Sequence, residues 1–144
     1  MILDSFEISF CQMQAHLFEL SAEKGYDSEA FIKEFMNSDV ALDLDKPFNH
    51  TQWAGEQYLI SRLSEECPKA IRTGAVLDTE TLYWSGYLYR YWHFYTGESS
   101  KAIYKQAPIT VLKKVYLPYH TMSLKMAIDR LKETYLDRNA GKNA

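Results

Sequence analysis

The chain holds few of the residues that crosslink, kink or loosen a backbone: 2 cysteines, 4 prolines and 6 glycines in 144 residues. Cys11 and Cys67 are far apart and belong to no Cys-x-x-Cys or Cys/His cluster. A disulfide framework and a zinc site are therefore excluded as organising features, and two buried, reduced thiols are expected. No run approaches the roughly 18 uncharged apolar residues of a membrane span, so no membrane is expected among the partners. The opening MILDSFEISF carries Asp4 and Glu7 where a secretory signal would carry positive charge, and a cytoplasmic location is expected. Also missing are an Asn-Gly hairpin, a sustained period-two alternation and an internal repeat, which argues against a sheet. The chain lacks a glycine-rich phosphate loop, a Gly-x-Ser-x-Gly and a Cys/His nucleophile pair, which removes the common signatures of nucleotide binding and of serine or thiol catalysis.

What is present is apolar surface, much of it aromatic. Hydrophobic residues make up 47% of the chain and aromatics 15%, against 24% charged. A chain so composed can offset the entropy of folding and is the usual size of one domain, here residues 1–144. The formal charge of -3 hides an asymmetry: residues 1–80 hold 15 acidic and 6 basic side chains, and residues 81–144 hold 4 acidic and 10 basic. The plainer reading mixes both halves on one folded surface. The functional reading gives a basic face for nucleic acid and an acidic face for a protein.

The pattern predicts an all-α, compact single-domain bundle of about six to seven helices with an aromatic-rich central helix. Asp4 and Glu7 form a capping box, followed by the stripe Phe6, Phe10, Met13, Leu17 and Leu20, which Gly25 ends. Asp27 caps a second helix through Ala30, Phe31, Phe35 and Met36. "DVALDLDKPFNH" reads as a turn-like connection closed by Pro47. A third helix opens at Asn49 and Gln52, carries Trp53, Ile60, Leu63 and Cys67, and stops at Pro68. "PKAIRTGAVLDT" reads as a loop hinged at Gly74. The fourth helix is capped by Asp78 or Thr79 and reaches Thr96. It carries Trp84, Leu88, Tyr91 and Tyr95 on one face and Tyr83, Tyr87 and Phe94 on another, as a central helix does. Ser99 or Ser100 caps a short helix through Ala107, Pro108 opens a sixth that Pro118 ends or kinks, and the last runs from about Ser123 to about Arg138 with Leu124, Ala127, Ile128, Leu131 and Tyr135 inward.

Few residues are placed for chemistry. Arg90 and His93 lie three apart on one helix, so a guanidinium could hold phosphate while an imidazole moves a proton, as in helical ribonuclease toxins. Their spacing is shorter than that motif's, and the preferred reading is structural, with Arg90 against Tyr and Trp rings and His93 at the core's edge. "TGESSKAI" resembles a helix-turn-helix turn through Gly97, Ser99 and Ile103. His93 stands where a small residue is wanted and Glu98 where an apolar one is, so a plain helix corner is preferred. Lys101, Lys105, Lys113, Lys114, Lys125, Arg130, Lys132 and Arg138, among Tyr104, Tyr116 and Tyr119, form a basic half able to meet phosphates, diluted by Asp129, Glu133 and Asp137. His16 and Glu19 have metal-ligand spacing, but no second pair completes a site. No metal, cofactor or catalytic residue is assigned.

The blocks "YLYRYW" (87–92), "SSKAIYK" (99–105) and "YLPYHTMSLKMAIDR" (116–130) resemble a family of small helical proteins of Gram-positive bacteria associated with toxin-antitoxin-like loci. The resemblance covers about Trp84 to Arg130. Met122-Ser123 stands where its members carry an acidic residue after the His-Thr pair. It implies a toxin-like protein partner, in some loci an ADP-ribosyltransferase-like one, and places Arg90, His93, Ser99, Lys101, Tyr104, Lys105 and His120 at a candidate contact surface. The expected function is a non-enzymatic, antitoxin-like or regulatory binding protein. The alternatives are a small RNase or nucleotide-modifying toxin using Arg90 and His93, with His120 as a further candidate, and a DNA-binding regulator reading through residues 92–106.

Overall fold

Short polar side chains start the helices by taking up amides that a helix leaves free. Asp4 and Glu7 close a reciprocal capping box, with backbone-to-carboxylate distances of 2.8 and 3.1 Å. Asp27, Ser38, Asp78 and Ser99 each accept the amide three residues on. The computed structural model describes residues 2–46 and 55–142. Among them are eight α-helices and no strand: α1 Ser5–Glu23, α2 Ser28–Met36, α3 Asp39–Leu44, α4 Glu56–Glu66, α5 Thr79–Thr96, α6 Ser100–Gln106, α7 Ile109–Tyr119 and α8 Leu124–Lys142, with a 3-10 turn at Pro68–Ile71. None of these helices is long and apolar enough to cross a membrane.

The helix absent from the expected set is α3. The stretch read as a connection is a capped helix of 6 residues that buries Val40, Ala41 and Leu44. So short a helix is marginal in isolation, and packing on α2, α4 and α6 sustains it. The start assigned to Asn49 and Gln52, with Trp53 and Pro47, lies outside the described residues, and the described part of that helix is α4. The loop "PKAIRTGAVLDT" is more structured than expected. After its 3-10 turn it pairs Thr73 with Tyr26 in an isolated antiparallel bridge, and the Gly74 amide donates to Gly25 O at 3.3 Å. Gly74 is a close-packing position rather than a hinge, since a Cβ there would lie 2.4 Å from Asp27 Oδ2. The last helix runs to Lys142 instead of ending near Arg138.

Helix α5 is the centre, packed on α1, α6, α7 and α8. Its tightest partner is α1, and Gly86 explains why. A Cβ at that position would meet Gln14 O at 2.7 Å and Ala15 Cα at 2.8 Å, so only glycine lets the two backbones approach this closely. The buried face of α1 is accordingly rotated from the predicted stripe. It consists of Phe10, Cys11, Gln14, Ala15, Leu17, Phe18 and Ser21, whereas Phe6 is 43% exposed. Across the core, Phe18 meets Phe31, Phe35 and Tyr89 edge-on at 5.8–6.3 Å between centroids, the arrangement ring quadrupoles favour. The buried Tyr89 hydroxyl donates to Ala107 O at 2.6 Å, tying α5 to the end of α6.

Candidate functional site

Arg90 is not at a surface. It is 1% exposed, and every contact it makes is internal. Its Nε donates to Gln14 Oε1 at 2.9 Å, its Nη1 to Asp45 Oδ1 at 2.9 Å and to Leu44 O at 3.4 Å, and its guanidinium carbon stands 4.6 Å from the Phe10 ring centre. Gln14 completes the bridge by donating from Nε2 to Gly86 O at 3.2 Å. Burial lowers the Arg90 pKa and the facing Asp45 carboxylate opposes that shift, which leaves a guanidinium charged. Asp45 is a hub. Besides Arg90 it accepts the Ser100 amide at 2.8 Å and the Ser100 hydroxyl at 2.7 Å, so one carboxylate joins the end of α3 to α5 and α6.

His93, three residues on, stands beside the same carboxylate, with Nδ1 3.8 Å from Asp45 Oδ1, but bonds elsewhere. Its Nδ1 lies 2.7 Å from Glu98 O. A carbonyl only accepts, so Nδ1 carries the proton and Nε2 is the acceptor in the neutral ring. The imidazole borders a cleft of about 460 Å³ with Asp4, Glu7, Phe10, Asp45 and Lys46, and Arg90 is not among the lining residues. Guanidinium and imidazole therefore do not converge on a common solvent-filled space. The Cys11 thiol nearby is fully buried, and burial pushes its pKa up to about 12 despite Arg90. It is no nucleophile.

The α5–α6 corner is held from inside. Gly97, at φ 77°, ends α5 in the left-handed conformation, and Ser99 caps α6 through the Ala102 amide at 3.1 Å. Glu98 does not face solvent as a turn residue would. It accepts Trp92 Nε1 at 3.0 Å and also binds Gln106 and Lys132. Burial alone would raise its pKa, but the donors Lys132, Trp92, Gln106 and Thr96 outweigh that and hold it at about 2. Helix α6 spans 7 residues with Ser100, Ile103 and Gln106 buried. Its outward residues are Lys101 and Lys105.

The seven expected contact residues thus do not share one patch. Arg90 is interior, His93 and Ser99 build the corner, and Lys101 and Lys105 are exposed. Tyr104 packs on Tyr89 at 6.2 Å and borders a mixed-charge cleft of about 600 Å³ with Glu34, Lys69 and Arg72. His120 stands at yet another place, the C-terminus of α7. Its ring stacks on Tyr116 at 4.4 Å and its Nδ1 lies 2.7 Å from Tyr116 O.

That last place borders an aromatic cleft. The cleft, of about 390 Å³, is lined by Glu19 of α1; Thr79, Glu80, Tyr83, Trp84 and Tyr87 of α5; Tyr116 of α7; His120; and Leu124 of α8. Trp84 meets Tyr116 edge-on at 5.6 Å, Tyr83 stacks with Tyr87 at 6.3 Å, and His16 meets Tyr83 at 5.6 Å. The tyrosine and tryptophan rings are half-buried and border an open space. Burial raises the Tyr116 pKa, reinforced by the charges of Glu80 and Asp78, and burial likewise raises that of Tyr87. Trp84 Nε1 is buried without an acceptor among the described residues. His16 and Glu19, considered above for metal spacing, instead pair with each other at 3.0 Å.

Sequence reasoning assigned the α5 rings to the core and Tyr116 to a basic, phosphate-facing half, and so missed the cleft. The available signal was their number: α5 carries more aromatic residues than its buried side holds. Glu19, Glu80 and Tyr116 come together only through packing and gave no signal. No protein-family model, curated protein or solved structure matches the chain.

Proposed function

We propose that the protein is a non-catalytic binding protein, antitoxin-like or regulatory, which acts in the cytoplasm by holding a protein partner on a helical surface. The observation that carries this reading is the contrast between a sequestered Arg90 and an open aromatic cleft on α5. The side chain best suited to hold phosphate is sealed against Asp45 and Gln14, while Tyr83, Trp84, Tyr87 and Tyr116 border open space. Aromatic rings supply large contact area at low entropic cost and are enriched where proteins meet. Helix-borne side chains hold such a surface in a fixed geometry.

The test is expression of the chain alone and together with the products of its neighbouring reading frames. The expected result is no growth arrest from the chain alone, relief of arrest caused by a neighbour, and a stoichiometric complex of the two. Failure to form a complex with any neighbour, or growth arrest by the chain itself that His93→Ala abolishes while the fold is kept, replaces this reading with the nuclease one. Binding of upstream DNA that weakens steeply with salt replaces it with the DNA-binding one.

A further inference from the structure

We propose that the cleft between α1, α5 and α7 seats an arginine side chain of the protein partner. This deepens the binding reading above and rests on it. Three properties of the cleft select the occupant. Its lining holds four aromatic rings, Tyr83, Trp84, Tyr87 and Tyr116, and the face of an aromatic ring attracts a cation through its quadrupole. It carries two carboxylates, Glu19 and Glu80, and none of its lining residues is a lysine or arginine; Glu19 pairs with His16 through Oε1 and Glu80 meets the Tyr116 hydroxyl, but a carboxylate has lone pairs for further donors, which a cation can use and an anion cannot. Its volume, about 390 Å³, is at the small end of the roughly 300–1,000 Å³ typical of ligand clefts, room enough for one long side chain.

The same molecule shows how it satisfies cations elsewhere. Arg90 lies against the Phe10 ring and is held by Asp45. Lys132 lies 5.7 Å from the Trp92 ring centre and pairs with Glu98. Lys125 lies 5.7 Å from the Tyr95 ring centre, and the Tyr95 hydroxyl donates to Asp129 at 2.9 Å. A ring together with a carboxylate seats both Arg90 and Lys132, while at Lys125 the carboxylate is held by the ring's hydroxyl instead of by the cation. The cleft repeats that pairing with four rings and two carboxylates, drawn from different helices. Arginine suits it better than lysine. A planar guanidinium stacks on a ring face and spreads five donors across more than one carboxylate, whereas an ammonium is a compact, strongly hydrated point charge.

The experiment is a titration of the ¹⁵N-labelled chain with short capped peptides, Gly-Arg-Gly, Gly-Lys-Gly and Gly-Gln-Gly, read at the Trp84 indole resonance and assigned with a Trp84→Phe variant. The expected result is a saturable shift with the arginine peptide, a weaker one with lysine and none with glutamine. The double substitution Glu19→Gln/Glu80→Gln should weaken arginine binding by at least about tenfold, given the strength of charge-assisted hydrogen bonds, while leaving the rest of the spectrum in place. Equal binding of the glutamine peptide, or undiminished arginine binding by the double variant, overturns the proposal. The two readings fail separately. A partner complex that keeps its affinity in the double variant removes the arginine seat and leaves the binding function. A saturable arginine site in a chain that forms no complex removes the binding function and leaves the seat.

Discussion

Two stretches of α5 use the same amino-acid vocabulary to opposite ends. In the C-terminal half Arg90, a charged residue, is 1% exposed and every hydrogen-bond partner it has lies inside the fold, with Gly86 bringing the backbone against α1. Nearer the N-terminus Tyr83 and Tyr87, which share a side of the helix with Arg90, border with Trp84 an open cleft beside Glu19 and Glu80, although composition alone would bury them. Polarity does not decide which stretch is interior here. Proximity to a complementary group does: Asp45 and Gln14 offset part of the desolvation of the guanidinium, whose Nη2 has no partner among the described residues, whereas the aromatic stretch meets no complete cover from α7 and α8. The lesson extends to carboxylates. Asp45 and Glu98 are structural because donors from several helices converge on them, and Glu80 is available because no such set converges on it.

The sharpest way to break this contrast is at Asp45. Asp45→Ala leaves a buried guanidinium without its counter-ion and should cost about 3–5 kcal/mol of stability, measured by urea unfolding. Replacing both partners together, as Asp45→Leu/Arg90→Met, should recover a large part of that loss. A single Asp45→Ala variant as stable as the parent would mean that the Arg90 network is incidental. Next in size is Gly86→Ala. Its Cβ would strike the α1 backbone, which cannot yield as a flexible side chain would, and the expected loss is about 1–3 kcal/mol.

Acid titration sharpens the role of Glu98. Its folded pKa, about 2, lies below the ordinary value of 4.5. The group therefore favours the folded state above pH 4.5, and that contribution is lost as pH falls from 4.5 toward 2. Thermal unfolding across this window should show a decline that Glu98→Gln flattens. A parallel decline in parent and variant would assign the acid sensitivity to other carboxylates. The smallest effect belongs to the cleft. Glu80→Gln should change unfolding stability by no more than about 0.5 kcal/mol, as for surface positions generally, while weakening the arginine peptide in the titration above.

Much of the fold was legible because its signals are local. Asp4 with Glu7, Asp27, Asp78 and Ser99 were read as helix starts, and each accepts the expected amide. Pro68 and Gly97 stop helices where their backbone chemistry demands. Helix α3 was not legible, since 6 residues give too little periodicity to distinguish from a turn. The buried side of α1 was misjudged because Gln14 does not look like a core residue until Gly86 and Arg90 are placed against it. At the candidate site, the structural reading of His93 anticipated its place at the corner, with its ring 5.5 Å from Phe94. Arg90 is expected against Tyr and Trp rings, but the ring it meets is Phe10, and its interior ion pair with Asp45 is not foreseen. Asp45 is 45 residues away in the chain, and no local pattern couples the two.

By itself the sequence determined most of the helical segments, α3 excepted, because capping, breaking and 3.6-residue periodicity act over a few residues and need no knowledge of the rest. Only the tertiary structure decided what α5 does with its aromatic, arginine and histidine residues. Whether a ring is covered or open, and whether a charge is sealed or exposed, depends on which distant groups arrive beside it, and that arrangement exists only once α1, α3, α6 and α7 have packed around the central helix.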